Sequence, residues 1–166
     1  MRYVVAMTAA TLTHLVPAPI NLDPTDREII RELERDARIP WAELGRRVSL
    51  TAPAVRERVM RMRRAGVITG YGAWIDPATL GRGIGAFIRV TTPNQPRHER
   101  LIEFAAERGE VVECHSLTGD DSVIMRVQVG DMAELERLTT SLSHFGRTTT
   151  SMILASPIPW RNVMSR

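Results

Sequence analysis

Ser49–Gly66 reads SLTAPAVRERVMRMRRAG. Five arginines stand here against one acid, Glu57. With Val55 set at zero and about 100° per residue, Val59 and Met62 fall within about 40° of it and form an apolar seam. Ala54, Arg56, Glu57, Met60 and Arg61 point away, with Arg58 at the boundary. Thr51 is placed to cap the helix, Pro53 sits in its first turn, where a missing N–H costs nothing, and Gly66 ends it. An arginine-rich face of this kind is either a solvated face or a surface that meets nucleic acid.

The residues upstream favour the second reading. Thr25 and Glu28 have the spacing of a Thr-x-x-Glu capping box, and Ile29, Ile30 and Leu33 give the first helix its apolar face. A shorter helix over Trp41–Val48 places Trp41, Leu44 and Val48 at i, i+3 and i+7. Ser49–Thr51 then makes a tight connection. Two short helices and a tight turn before an arginine-loaded third predict a helix-turn-helix, whose second helix enters the major groove N-terminus first. Arg56, Arg58 and Arg61 are expected to make the closest contacts, since arginine suits guanine edges and phosphates alike. Thr51, Ala52 and Ala54 allow close approach. Arg46, Arg47, Arg63 and Arg64 are expected to hold phosphates and set register. Glu57 either accepts from a cytosine amine or pairs with a neighbouring arginine, and the pairing is favoured.

Composition agrees with a soluble two-part chain. The 166 residues are 43% hydrophobic and 25% charged, with a net charge of +3. Every basic side chain besides histidine is arginine, which reflects either GC-rich coding or a demand for guanidinium geometry. Arg46–Arg64 holds seven arginines and one acid, whereas charges balance from Ile84 onward, so the two halves are expected to do different work. One cysteine, Cys114, excludes an internal disulfide framework and fits a reducing compartment. No apolar run reaches the ~18 residues of a membrane span.

The expected divisions are an N-terminal arm over 1–21, the helix-turn-helix over 22–66, a strand and linker over 67–83, a sheet domain over 84–155 and a tail over 156–166. The arm is preferred over a secretory leader because threonines and His14 interrupt it and no cleavage site is evident; Met7 is an alternative start. Within 67–83, Val67–Asp76 reads as an extended strand broken by Gly70 and Gly72, and Asp76–Gly83 as a linker. The second half alternates: a strand over Ile84–Thr92, a helix over Arg97–Arg108, strands over Val111–Thr118 and Val123–Val129, a helix opened by Asp131 or a neighbour and running to about Ser143, and a strand over Thr148–Ala155. This βαββαβ order is ferredoxin-like. Its uncovered sheet face invites a second copy.

The stretch LDPTDREIIRELERDARIPWAELGRRVSLTAPAVRERVMRMRRAGVITGYGAWIDPATLG resembles the N-terminal half of the leucine-responsive and asparagine-regulator (Lrp/AsnC) family of transcription factors. The Leu-Asp-x-x-Asp opening, the Arg-Val at Arg58 and the Gly-Val-Ile-x-Gly-Tyr at Gly66 carry the likeness. The second half, from VVECHSLTGDDSVIMRV onward, is similar to the family's effector-binding domain. The resemblance runs from about Asn21 to Trp160. It implies an α+β chain with an N-terminal winged-type helix-turn-helix domain and a C-terminal ferredoxin-like βαββαβ effector (RAM) domain. It also implies a cytoplasmic homodimer, able to assemble into octamers, that binds a pseudo-palindromic double-stranded DNA operator and takes a small-molecule effector, usually an amino acid, between dimers. By analogy, the effector loop is Gly119, Asp120, Asp121 and Ser122. Many members carry Tyr-Asp where this chain has Asp121-Ser122, and Pro-Gly-Val where it has Phe145-Gly146-Arg147. Thr148, Thr149 and Thr150 come next and would add hydroxyls.

Cys114 and His115 are neighbours on a strand and so point to opposite faces, and His98 and His144 lack companions at ligand spacing. No metal site, cofactor or catalytic constellation is expected, and the chain is read as a regulator rather than an enzyme. Trp41 and Trp74 are read as packing residues. Trp160 either braces a neighbouring subunit or belongs to a loose tail. Two other readings stay open. One is an enzyme similar to siroheme decarboxylases with a vestigial helix-turn-helix, in which His115 or an arginine would touch substrate carboxylates. The other is an architectural DNA-compacting protein with weak sequence preference and steep salt dependence.

Overall fold

The computed structural model describes residues 21–159. The readings placed on residues 1–20 and on Trp160 lie outside them. The chain divides into two compact units, one reaching Ala73 and one spanning Trp74–Ile158.

The first unit holds α1 (Pro24–Arg35), α2 (Trp41–Arg47) and α3 (Ala52–Arg64). Helix α1 does not start where Thr25 and Glu28 suggest. Its cap is Asp23, in a capping box with Asp26. Proline explains the difference: Pro24 holds the residue before it extended and itself begins the helix, so Thr25 is already helical. Ile29, Leu33, Leu44, Val48, Val55, Val59 and Met62 close a shared core, with Ile30 only partly buried at its edge. Each fully buried aliphatic side chain contributes about 1.5–3 kcal/mol. Trp41 is 39% exposed rather than a packing residue, because it occupies the first position of α2, where the seam has not yet begun.

The turn between α2 and α3 depends on two backbone features. Ser49 adopts a left-handed φ of 56°, and Leu50 N–H donates to Gly45 O at 2.8 Å. Gly45 is buried in α2, and a Cβ there would stand 2.5 Å from Leu50 O. Thr51 caps α3 by accepting from Ala54 N at 3.4 Å, and Gly66 leaves the helix at φ 72°.

The strand expected over Val67–Asp76 is absent. Val67 and Ile68 pack on the helical core, and the residues after them, to Asp76, are exposed and in no ladder. A strand is defined by its ladder, and Gly70–Asp76 belongs to none. The winged element therefore has no hairpin among these residues, and Trp74, at 76% exposed, is not a core residue.

The second unit opens with a 3-10 turn at Pro77–Leu80. It continues as β1 (Ile84–Thr91), α4 (Gln95–Ala106), β2 (Val111–Ser116), β3 (Val123–Val129), α5 (Met132–Ser143) and β4 (Arg147–Met152). The antiparallel sheet has the order β2-β3-β1-β4, the ferredoxin-like arrangement. Ala86, Ile88 and Val90 of β1 and Val123, Met125, Val127 and Val129 of β3 face Leu101 and Ala105 of α4 and Leu135, Leu138 and Leu142 of α5. Both helices thus cover one face. Asn94 caps α4, which begins at Gln95, two residues before the start that the sequence suggests. Strand β4 stops at Met152, short of Ala155.

Candidate nucleic-acid interface and effector face

Helix α3 carries its seam as expected, with Val55, Val59 and Met62 buried. Its arginines divide into two groups. Arg58 Nη1 donates to Asp23 Oδ2 at 2.5 Å and to Asp26 Oδ1 at 2.9 Å, and Arg61 Nη2 donates to Asp26 Oδ2. Asp26 is 0% exposed. Arg58 and the backbone N–H of Asp26 hold the Asp23 carboxyl below its usual range. The Arg58 guanidinium is held more firmly protonated by Asp23 first and Asp26 second. Arg58, at the boundary of the seam, and Arg61, beyond it, are thus paired with carboxylates of α1 while their side chains stay 31% and 44% exposed.

On α2, Arg47 donates to Glu32 Oε2 at 2.6 Å and Glu43 Oε1 at 2.9 Å, and Arg46 pairs with Glu43. The hydrogen bond from Arg47 pulls the Glu32 carboxyl below its usual value. Arg56 and Arg64 are exposed and form no ion pair among the described residues. Arg63 is also exposed, its guanidinium 5.9 Å from the centre of the Tyr71 ring. Glu57 is exposed and forms no ion pair among the described residues, so the favoured pairing with an arginine is not made. Thr51 lies at the exposed start of α3, with Ala52 and Ala54 half-buried behind it.

The β2–β3 loop shows its own geometry. Gly119 has φ 110°, which favours glycine. Leu117 N–H donates to Ser122 O at 2.9 Å and Ser122 N–H to Val90 O at 3.0 Å. Ser122 Oγ accepts from Thr92 N at 3.0 Å. Asp120 is exposed. Asp121 Oδ1 accepts from Thr91 Oγ1 at 3.2 Å, and Oδ2 lies 3.9 Å from Arg89 Nε. Sequence reasoning missed Arg89 and Thr91. Alternation along β1 was the available signal, since it puts both on the face opposite Ile88 and Val90.

The three threonines do not act together. Thr149 lies opposite Arg89, whereas Thr148 and Thr150 lie opposite Val90 and Ile88, on the other side of the sheet. Consecutive strand residues cannot share a face. Gly146 packs tightly: a Cβ there would come within 2.1 Å of Thr91 O. Across the outer face, Arg126 Nε lies 3.3 Å from Glu113 Oε1 and His115 Nε2 3.7 Å from Glu113 Oε2. Cys114 faces the helices, where burial raises its thiol pKa. No group of three metal-ligating side chains occurs among the described residues, and none of their helices is long and apolar enough to cross a membrane.

Comparison with known proteins reaches both units. Residues 22–63 match the AsnC-type helix-turn-helix domain and residues 85–163 the Lrp/AsnC ligand binding domain. The HTH-type transcriptional regulator LrpB of Bacillus subtilis strain 168 is 31% identical over 127 residues, covering 76% of this chain and 85% of that protein. The structure of Escherichia coli AsnC superposes with a TM-score of 0.79 at 26% identity, covering 87% of this chain and 99% of that one. A transcriptional regulator of Neisseria meningitidis, NMB0573, solved as a complex with L-Met, gives 0.77 at 28% identity over 85% and 94%.

Proposed function

This chain belongs to the Lrp/AsnC family of DNA-binding transcriptional regulators, and from that premise we propose how it grips DNA and what it senses. The exposed stripe of α3 that carries Arg56, Arg63 and Arg64 enters the major groove, with Arg56 nearest the bases and the other two on phosphates. The observation that carries this reading is the division of the arginines: four are bound to carboxylates, while these three have no such partner among the described residues. Glu57, Met60 and Ala52 lie in or beside the stripe, Ala54 lies on the flank of Arg58 and Arg61, and Thr51 opens the helix. Arg46 and Arg47 reach phosphates only by exchanging their glutamates.

In the sheet unit, the effector is an amino acid, as the L-Met complex of the Neisseria relative supports. Asp121 would take its ammonium group, with Gly119, Asp120 and Ser122 shaping the loop and Thr149 supplying a hydroxyl. Phe87, 38% exposed on the outer sheet face, fits a seam between two copies of the chain. The protein would act in the cytoplasm as a homo-oligomer on a pseudo-palindromic operator. Its effector would act by favouring one assembly or conformation over another, because only differential affinity shifts an equilibrium.

The test is fluorescence anisotropy with a duplex selected from a random pool by the wild-type protein. Arg56→Ala should weaken binding at least about fivefold, corresponding to about 1 kcal/mol or more, and leave the oligomeric state unchanged. Unaltered affinity would refute this orientation of α3.

A further inference from the structure

The Asp23–Asp26 pair does more than start a helix. A capping box needs only one side-chain oxygen from each residue, and these are supplied: Asp26 N–H donates to Asp23 Oδ1 at 2.7 Å and Asp23 N–H to Asp26 Oδ2 at 3.2 Å. The remaining capacity of both carboxylates goes to α3. Asp26 Oδ1 and Asp23 Oδ2 accept from Arg58, and Asp26 Oδ2 also accepts from Arg61. A wholly buried carboxylate between two half-exposed guanidiniums is costly to build and costlier to break on one side. Apolar packing of α1 on α3 does not require it.

Its effect on α3 is rotational. With Val55 at zero and about 100° per residue, Arg58 and Arg61 lie near −60° and −120°. Arg56, Arg63, Met60 and Arg64 fall between about 80° and 180°, on the opposite flank. Whatever holds the first pair aims the second group. We propose that Asp26 is the positioning residue of the DNA-reading helix. It removes Arg58 and Arg61 from the phosphate-binding set and fixes the rotation of α3, so that arginine density does not become indiscriminate affinity. This role rests on the DNA reading above.

The experiment measures binding by the full-length chain to its selected duplex and to a scrambled duplex across a salt series. Asp26→Asn keeps the size and the cap but loses the charge that holds both arginines. It should steepen the dependence of log affinity on log salt by about 0.9–1.8 per α3, as one or two freed guanidiniums reach phosphates. Preference for the selected duplex should fall about tenfold or more, the scale of a lost base contact. Arg58→Gln and Arg61→Gln should leave the slope unchanged and lower the preference. Arg56→Gln should flatten the slope or lower the preference in the manner of a direct contact.

A purely structural Asp26 would instead weaken binding to both duplexes by one factor at constant slope, and that result overturns the proposal. So does a slope that drops by about 0.9 in Arg58→Gln or Arg61→Gln, because those arginines would then be phosphate contacts. Should Asp26→Asn fail to fold, the two glutamine variants decide alone. Failure of the wild-type chain to bind any duplex would refute the DNA reading itself and is distinguishable from every outcome above.

Discussion

Gly45→Ala tests whether the α2–α3 turn is a true close approach. The added methyl would lie 2.5 Å from Leu50 O, 3.3 Å from Thr51 C and 3.4 Å from Ala52 N, all backbone atoms. The turn has little room to yield, because Leu50 N–H is bonded back to Gly45 O at 2.8 Å and Ser49 already sits at a positive φ. Alanine gains about 1 kcal/mol over glycine in a helix. Overpacking costs about 1–3 kcal/mol, and weakening the turn hydrogen bond costs about 1 kcal/mol more. The net is a loss of about 1–3 kcal/mol from the helical unit, which for a unit of this size lowers the melting temperature by about 4–8 °C per kcal/mol. Scanning calorimetry of wild type and variant reads the change, and DNA affinity should fall alongside it. A variant that melts at or above the wild-type temperature would show that the turn relaxes cheaply and would refute the argument.

Ser49→Gly should stabilise the same unit by about 0.5 kcal/mol, because a left-handed non-glycine residue costs about 1–2 kcal/mol and glycine returns part of that gain as unfolded-state entropy; denaturant titration would show it, and a destabilised variant would contradict it. Gly146→Ala places a methyl 2.1 Å from Thr91 O and should cost the sheet unit about 2 kcal/mol or more, with amino-acid response reduced because Thr91 supports Asp121; an unchanged unfolding midpoint would count against this. Acid should loosen the helical unit first. Asp23 and Glu32 have folded pKa values below their ordinary 3.8 and 4.5. The stability they add is complete above those ordinary values and is lost as pH falls through the lower folded ones. Circular dichroism across pH 5 to about pH 2 should show the loss, and Glu32→Gln should blunt it; an identical acid profile would contradict the assignment.

Much of the fold was legible because periodicity and punctuation agreed. The 3.6-residue seam of α3 and the alternation of β1 and β3 each point to one buried face, and Asp131 marks the start of α5 in the sequence as in the structure. The misplaced start of α1 arose from two overlapping signals, of which Pro24 was the stronger. The strand expected after Gly66 had suitable residues, but a strand is defined by its partner, which a linear reading cannot supply. The arginines of α3 were legible as a cluster and not as a division. Whether Arg58 faces a phosphate or a carboxylate depends on Asp23, 35 residues away in the chain. The β2–β3 loop was singled out as the candidate effector loop by resemblance alone, while Arg89 and Thr91 come to Asp121 only through the pairing of β1 with β3 and the docking of the loop on its end.

The most direct measurement is binding of the purified full-length chain to the DNA upstream of its own gene, at near-physiological salt, against a scrambled duplex of equal length. It is run with and without a pool of the twenty amino acids. The expected result is preference for the upstream DNA, a change in that preference when the pool is added, and loss of the preference in Arg56→Ala. Equal affinity for both duplexes, unaffected by the pool and by the substitution, would contradict it.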